Sequence, residues 1–155
     1  MYNLIGIEKV KATVLVNDLN DLLANYQVFY QNLRGFHWNI KGKEFFELHL
    51  KFEELYNDAV IKVDEIAERI LTLDGIPLHT FIDYLERSKI ESVKGLFDGK
   101  SSVDIILSNF SILLKKERSI LNVAGDAYDE GTVSLMSDYI SQTEKTMWML
   151  KSYLG

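Results

Sequence analysis

Four residues in the middle of the chain have the side chains and spacing of metal ligands. They are two histidines, His37 and His49, and two acids, Asp64 and Glu68, which lie four residues apart and therefore share one face of a helix. Glu53 follows His49 by about one helical turn. Imidazole and carboxylate groups are both common ligands of metal ions. Together these residues could form a metal site.

The same residues also allow a purely structural interpretation. A single histidine on a helix is more often structural than a ligand. The acids Asp64 and Glu68 could lie on a solvated helix surface, where Arg69 or Lys62 would neutralise them. A bundle without metal chemistry is therefore one hypothesis, and it expects His37→Ala to change stability only.

The distance along the chain decides how such a site could be built. His49 and Asp64 are fifteen residues apart in one predicted helix, which is roughly 22 Å along the helix axis. Side chains that far apart cannot enclose one small metal site. Either the residues are unrelated, or the histidines of one chain meet Asp64 and Glu68 of a second chain. A two-fold axis with antiparallel helices would then create two equal sites.

A di-iron centre inside one helical bundle is not expected. Such centres use Glu-x-x-His pairs on inward-facing positions. The residues three before the histidines His37, His49 and His79 are, in order, Arg34, Phe46 and Ile76. No such pair exists in this chain.

The composition indicates an all-helical domain. The chain has 155 residues, of which only 1 is proline and 9 are glycine, whereas strand-rich folds need many turns. With no cysteine, disulfides, thiolate metal sites and cysteine nucleophiles are excluded. We expect residues 1–155 to form one domain, without a signal peptide or a membrane span, in the cytoplasm.

Four apolar stripes with helical spacing predict four long helices. The first helix is predicted from about Ile7 to Leu33, with a break around Gly35, and the second from about Glu44 to Leu73. Ser101 or Ser102 is the expected N-cap of the third. Thr132 is expected to cap the fourth.

The connection from Ile76 to Gly99 is too long for an ordinary bundle loop. Its apolar residues Phe81, Ile82, Tyr84 and Leu85 predict a short helix. A connection of this length can leave the second and third long helices parallel. The predicted fold is therefore a ferritin-like four-helix bundle with a long crossover.

The segment around these candidate ligands resembles the signature of the Dps proteins, or miniferritins. The resemblance is densest between Phe36 and Leu73 and extends to the length and helix layout of the whole chain. The matching residues are Phe36-His37-Trp38-Asn39, Gly42, Phe45, Phe46, Leu48-His49, Phe52-Glu53, Tyr56 and Asp64-Glu65-Ile66-Ala67-Glu68-Arg69.

This resemblance implies a specific activity and assembly. Dps proteins form hollow homododecamers, oxidise ferrous iron between two-fold-related subunits, commonly with hydrogen peroxide, and store the ferric mineral. The matching ligands are His37 and His49 from one subunit with Asp64 and Glu68 from the other. Glu53 matches a position where the family often has Asp. Trp38 matches an aromatic residue that supplies or quenches a radical electron.

Two features outside the matching segment bear on iron entry and on DNA. The acidic turn of Asp126, Asp129 and Glu130, with Asp138 beyond it, matches a region that lines three-fold pores in the family; the alternative is a solvated turn before a helix N-terminus. The net charge of −6 and the absence of a basic tail disfavour DNA binding. A nucleoid-associated DNA-binding protein with a secondary iron site is the alternative hypothesis.

Overall fold

Five helices account for most of the chain. The computed structural model describes residues 1–155, with α1 at Lys9–Asn39, α2 at Phe45–Thr72, α3 at Phe81–Arg87, α4 at Gly99–Asp126 and α5 at Glu130–Leu154. The four long helices and the short helix in the crossover are therefore confirmed. None of the helices combines the length and the apolar character that crossing a membrane requires.

The predicted apolar stripes form the core. On α4 every residue of the stripe is buried, namely Val103, Ile106, Phe110, Leu113, Glu117, Ile120 and Ala124. On α1 the buried stripe consists of Leu15, Leu19, Leu22, Tyr26, Phe29 and Leu33. Core positions repeat at three and four residues because those spacings return a side chain to the same side of a helix.

The expected break in the first helix at Gly35 was wrong. Helix α1 continues through Gly35 to Asn39, because Phe36 and His37 are both buried against the rest of the bundle. A glycine inside a helix costs about 1 kcal/mol relative to alanine. Burying an aromatic side chain such as Phe36 stabilises by roughly 1.5–3 kcal/mol, so packing outweighs the local preference.

The two expected helix caps were also wrong. Helix α4 is capped by Asp98, whose carboxylate accepts a hydrogen bond from the backbone N–H of Ser101. Helix α5 is capped by Asp129, which accepts from the backbone N–H of Thr132. In both cases an aspartate three residues earlier caps the helix, since its carboxylate satisfies a free N–H of the first turn.

The crossover runs along α1 from one end of the bundle to the other. Near its start, the Asn20 side chain bonds the backbone of Ile76 and Leu78. Near its end, the backbone N–H of Lys41 donates to the carbonyl of Phe97. Because the crossover returns the chain to the end of the bundle where α2 begins, α4 starts beside α2 and runs parallel to it.

Candidate metal centre

The two histidines near the α1–α2 junction form one rigid pair. The His37 and His49 rings stack with their centroids 3.8 Å apart and their planes 12° from parallel. The Nδ1 atom of His37 lies 2.6 Å from the carbonyl oxygen of His49, and the Nδ1 atom of His49 lies 2.7 Å from the carbonyl oxygen of His37. Each histidine therefore orients the other through its backbone.

This reciprocal bonding fixes the tautomer of both rings. A carbonyl oxygen can only accept a hydrogen bond, so each Nδ1 carries the hydrogen. The Nε2 atom of each neutral ring then keeps a free lone pair, and neither Nε2 bonds a protein atom. In metal sites, a hydrogen bond from the ring nitrogen that does not bind the metal holds the imidazole in position. The Nε2 atoms of His37 and His49 are thus available to bind a metal ion.

Aromatic side chains enclose the histidine pair. Phe45, the first residue of α2, stacks on the His49 ring at 4.9 Å. The Tyr56 and His37 rings form a T-shaped pair, with their centroids 5.3 Å apart. His37 itself is only 7 % exposed. These contacts restrict the rings to one orientation.

The predicted carboxylates lie on the exposed surface of α2. Asp64 and Glu68 are both exposed and one turn apart. The hydrogen bond between their side chains, with the repulsion between their charges, raises the pKa of Glu68 above its ordinary value of 4.5. Two carboxylates this close form a strong attractor for a cation.

Neither of the expected neutralising cations pairs with these acids. The Lys62 ammonium is buried and bonds Asp58 at 2.6 Å. The Arg69 guanidinium bonds Asp129 at 2.6 Å and also donates to the Thr132 hydroxyl. Asp64 and Glu68 consequently lack a cation within the chain, which removes the interpretation that local basic residues neutralise them.

Within one chain, the four predicted ligands do not come together. His49 and Asp64 lie on the same continuous helix, α2, so the separation of roughly 22 Å along its axis stands. No three acidic or histidine side chains of the chain form a group that could hold a metal ion. The chain presents two separate half-sites, whose nitrogen and oxygen donors would suit iron if combined.

Glu53 lies beside the histidine half-site and has a partner. The Tyr56 hydroxyl donates to its Oε1 atom at 3.4 Å. Sequence reasoning assigned no role to Tyr56. The available signal was spacing, because Tyr56 follows His49 by seven residues, which is two helical turns and the same face.

Trp38 lies next to His37 but points toward solvent. Its side chain is 59 % exposed, and the Arg34 guanidinium carbon lies 5.1 Å from the centroid of its ring. The same guanidinium lies 4.8 Å from the Tyr30 ring. Arg34 therefore holds a positive charge against two aromatic rings near the histidines, which is a second feature that the sequence did not reveal.

The acidic turn between α4 and α5 contains both exposed and buried carboxylates. Asp126 and Glu130 are exposed. Asp129 is 2 % exposed, and its carboxylate is engaged by Arg69 and Thr132. Asp129 is therefore a structural anchor rather than a free pore-lining group. Asp138, about two turns further along α5, is exposed.

Comparison with known proteins shows extensive similarity. Residues 16–155 match the model of the ferritin-like domain. A DNA protection during starvation protein of Porphyromonas gingivalis is 44 % identical over 148 residues, which covers 96 % of this chain and 93 % of that protein. General stress protein 20U of Bacillus subtilis is 36 % identical and covers 91 % of this chain and 97 % of that protein.

Solved structures show the same architecture. The crystal structure of a Dps protein from Vibrio cholerae, described as a member of the ferritin-like diiron-carboxylate superfamily, superimposes with a TM-score of 0.98 at 55 % identity and covers 99 % of this chain and 97 % of that chain. A Dps protein from Bacillus brevis gives a TM-score of 0.92 at 34 % identity, with 96 % and 100 % covered.

Proposed function

Because the chain belongs to the Dps family of ferritin-like proteins, we propose that it is a ferroxidase and iron-storage protein. It oxidises ferrous iron with hydrogen peroxide at sites shared between subunits and stores the ferric product inside a hollow homododecamer. Residues 1–155 act as one ferritin-like domain. Its family and its diiron-carboxylate fold support a general role in iron storage and protection.

The separation of the two half-sites is the observation that carries this proposal. The α1–α2 junction presents the nitrogen donors of His37 and His49, and α2 presents Asp64 and Glu68 further along. Two copies related by a two-fold axis, with their α2 helices antiparallel, would bring the histidines of each copy to the carboxylates of the other. Each pair of subunits would then contain two equal sites.

The combined donor set favours the proposed reaction. Neutral imidazole and carboxylate both bind ferrous iron. Anionic oxygens stabilise the ferric product more than the ferrous reactant, so Asp64 and Glu68 lower the free energy of oxidation. Bound histidine must be neutral, and the two carbonyl hydrogen bonds hold His37 and His49 in the correct tautomer. Exposed carboxylates also allow the ferric product to leave toward the cavity.

The charge of the chain argues against DNA binding as its main role. The P. gingivalis relative is named for DNA protection, which an iron-oxidising protein could provide by removing ferrous iron and peroxide without touching DNA. A shell of twelve chains, each with a net charge of −6, would repel phosphates. A gel-shift assay at low salt, with and without divalent ions, separates direct binding from chemical protection.

Rapid mixing of ferrous iron with the purified protein tests the proposal. Stopped-flow absorbance should show fast oxidation by hydrogen peroxide, slower oxidation by dioxygen, and an iron-filled shell at the end. Ferrous consumption no faster than in buffer alone would refute the proposed ferroxidase.

A further inference from the structure

Reduction of hydrogen peroxide requires two electrons, while one ferrous ion supplies only one. When a site of the proposed function holds a single ferrous ion, a second electron must come from elsewhere, or a hydroxyl radical is released. An oxidisable side chain close to the histidine pair could supply it. The candidates near His37 are Trp38, Tyr30 and Tyr56.

From its geometry we propose that Tyr56 is the electron donor of this site. Its ring packs against the His37 ring in a T-shaped arrangement, with 5.3 Å between the centroids, so it contacts one of the proposed iron ligands directly. Its hydroxyl already donates a hydrogen bond to Glu53 Oε1. Oxidation of a phenol releases its proton, and the Glu53 carboxylate is positioned to receive it.

The surroundings of Trp38 and Tyr30 make both residues poorer first donors. An indole that loses an electron becomes a cation, and the Arg34 guanidinium at 5.1 Å from the Trp38 ring would repel that charge. Arg34 lies even closer to the Tyr30 ring, at 4.8 Å, and donates a hydrogen bond to the Tyr30 hydroxyl. Tyr56 can lose its proton to Glu53 together with its electron and stay neutral, so a nearby positive charge opposes its oxidation much less. The Tyr30 hydroxyl instead bonds Arg34, which cannot accept a proton.

The step balances without any other reductant. One ferrous ion, one molecule of hydrogen peroxide, the Tyr56 phenol and one proton from solvent give one ferric ion, the Tyr56 phenoxyl radical and two molecules of water. The O–O bond of peroxide and the O–H bond of Tyr56 break, and the phenol proton passes through Glu53. Iron and Tyr56 are each oxidised by one electron, and peroxide is reduced by two.

Electron paramagnetic resonance after rapid freezing tests this inference, which rests on the proposed ferroxidase. The protein is loaded anaerobically with less ferrous iron than the number of sites and mixed with hydrogen peroxide. Ring-deuterated tyrosine distinguishes a tyrosyl from a tryptophanyl radical, and a spin trap measures released hydroxyl radical. The variants are Tyr56→Phe, Trp38→Phe and, as a control at the end of α1 opposite His37, the exposed Tyr2→Phe.

The tyrosyl signal should appear in the wild type and be lost in Tyr56→Phe, with more trapped hydroxyl radical. It should persist in Trp38→Phe and Tyr2→Phe. Because Tyr56→Phe keeps the ring that packs on His37, its circular dichroism should match the wild type. An unchanged tyrosyl signal in Tyr56→Phe, or a tryptophanyl signal lost in Trp38→Phe, would overturn the inference. Failure of the wild type to consume ferrous iron would instead refute the ferroxidase itself.

Discussion

The His37 and His49 rings are stacked, and each Nδ1 bonds the backbone carbonyl of the other residue. This reciprocity joins the end of α1 to the beginning of α2 through the side chains of the proposed ligands. Loss of either ring would remove one nitrogen donor, the stacking contact on the second ring and one of the two hydrogen bonds that hold the helix ends together. The two histidines should therefore behave as a unit.

We accordingly expect His37→Ala and His49→Ala to slow ferrous oxidation to similar extents, each by at least about tenfold. The double variant should be little slower than either single variant, because the pair acts together. Initial rates from stopped-flow absorbance measure this. If the double variant slowed oxidation by the product of the two single-variant factors, the rings would act independently.

The carboxylate half-site should be essential for catalysis but not for folding. Asp64→Ala combined with Glu68→Ala should abolish fast oxidation and leave helicity unchanged, because both side chains are exposed. Glu47→Ala combined with Glu54→Ala is the matched control, since it removes two exposed acids from the same helix. Wild-type rates in the Asp64/Glu68 variant would disprove the assigned site.

The shared site requires assembly. Light scattering of the purified protein should give a mass near twelve times the 17.9 kDa of one chain. Mixing a His37→Ala variant with an Asp64→Ala/Glu68→Ala variant after disassembly should restore part of the activity, because some mixed pairs regain one intact site. A stable monomer with full activity would contradict the two-fold arrangement.

Iron entry through the acidic turn can be tested on its exposed carboxylates alone. Asp126→Asn with Glu130→Gln should slow uptake at low ferrous concentration, because fewer negative charges attract the cation. Asp129 is left intact, since it binds Arg69 and caps α5. The control replaces two exposed acids elsewhere, Glu54→Gln and Glu86→Gln. Equal uptake in both double variants would mean that the turn is ordinary surface.

A buried acid in the bundle core should make stability fall as the pH rises. Burial raises the pKa of Glu117 from 4.5 to about 7, and only one of its two oxygens has a partner, the Tyr26 hydroxyl at 3.0 Å. Between about pH 4.5 and pH 7 the folded state thus binds more protons than the unfolded state. The free energy of unfolding therefore falls as the pH rises through this range.

Glu117→Gln should remove that loss because the amide cannot ionise. Its stability advantage over the wild type should grow to roughly 3 kcal/mol above pH 7. Thermal unfolding between pH 5 and pH 8 measures the effect, and the exposed Glu144→Gln provides a control for altered charge. If the difference in melting temperature between the wild type and Glu117→Gln stayed constant across this pH range, the raised pKa of Glu117 would be contradicted.

The amino-acid sequence determined the fold class and most of the core. Helical periodicity is a local property, so the stripe from Val103 to Ala124 could be identified before any packing was known. The spacing of His49 and Asp64 also predicted that one chain cannot close the site by itself, because the rise of a helix is fixed. The assignment of the four ligands to one shared centre remains a prediction.

The tertiary structure decided where the long charged side chains go and how the histidines are held. Sequence allowed Arg69 to neutralise Asp64, but folding brings the α4–α5 turn to Arg69, and the buried Asp129 binds it instead. The carbonyl partners of His37 and His49 likewise come from different helices. These partners are brought together by the packing of elements that are distant in sequence. The periodicity of a single helix carries no information about that packing.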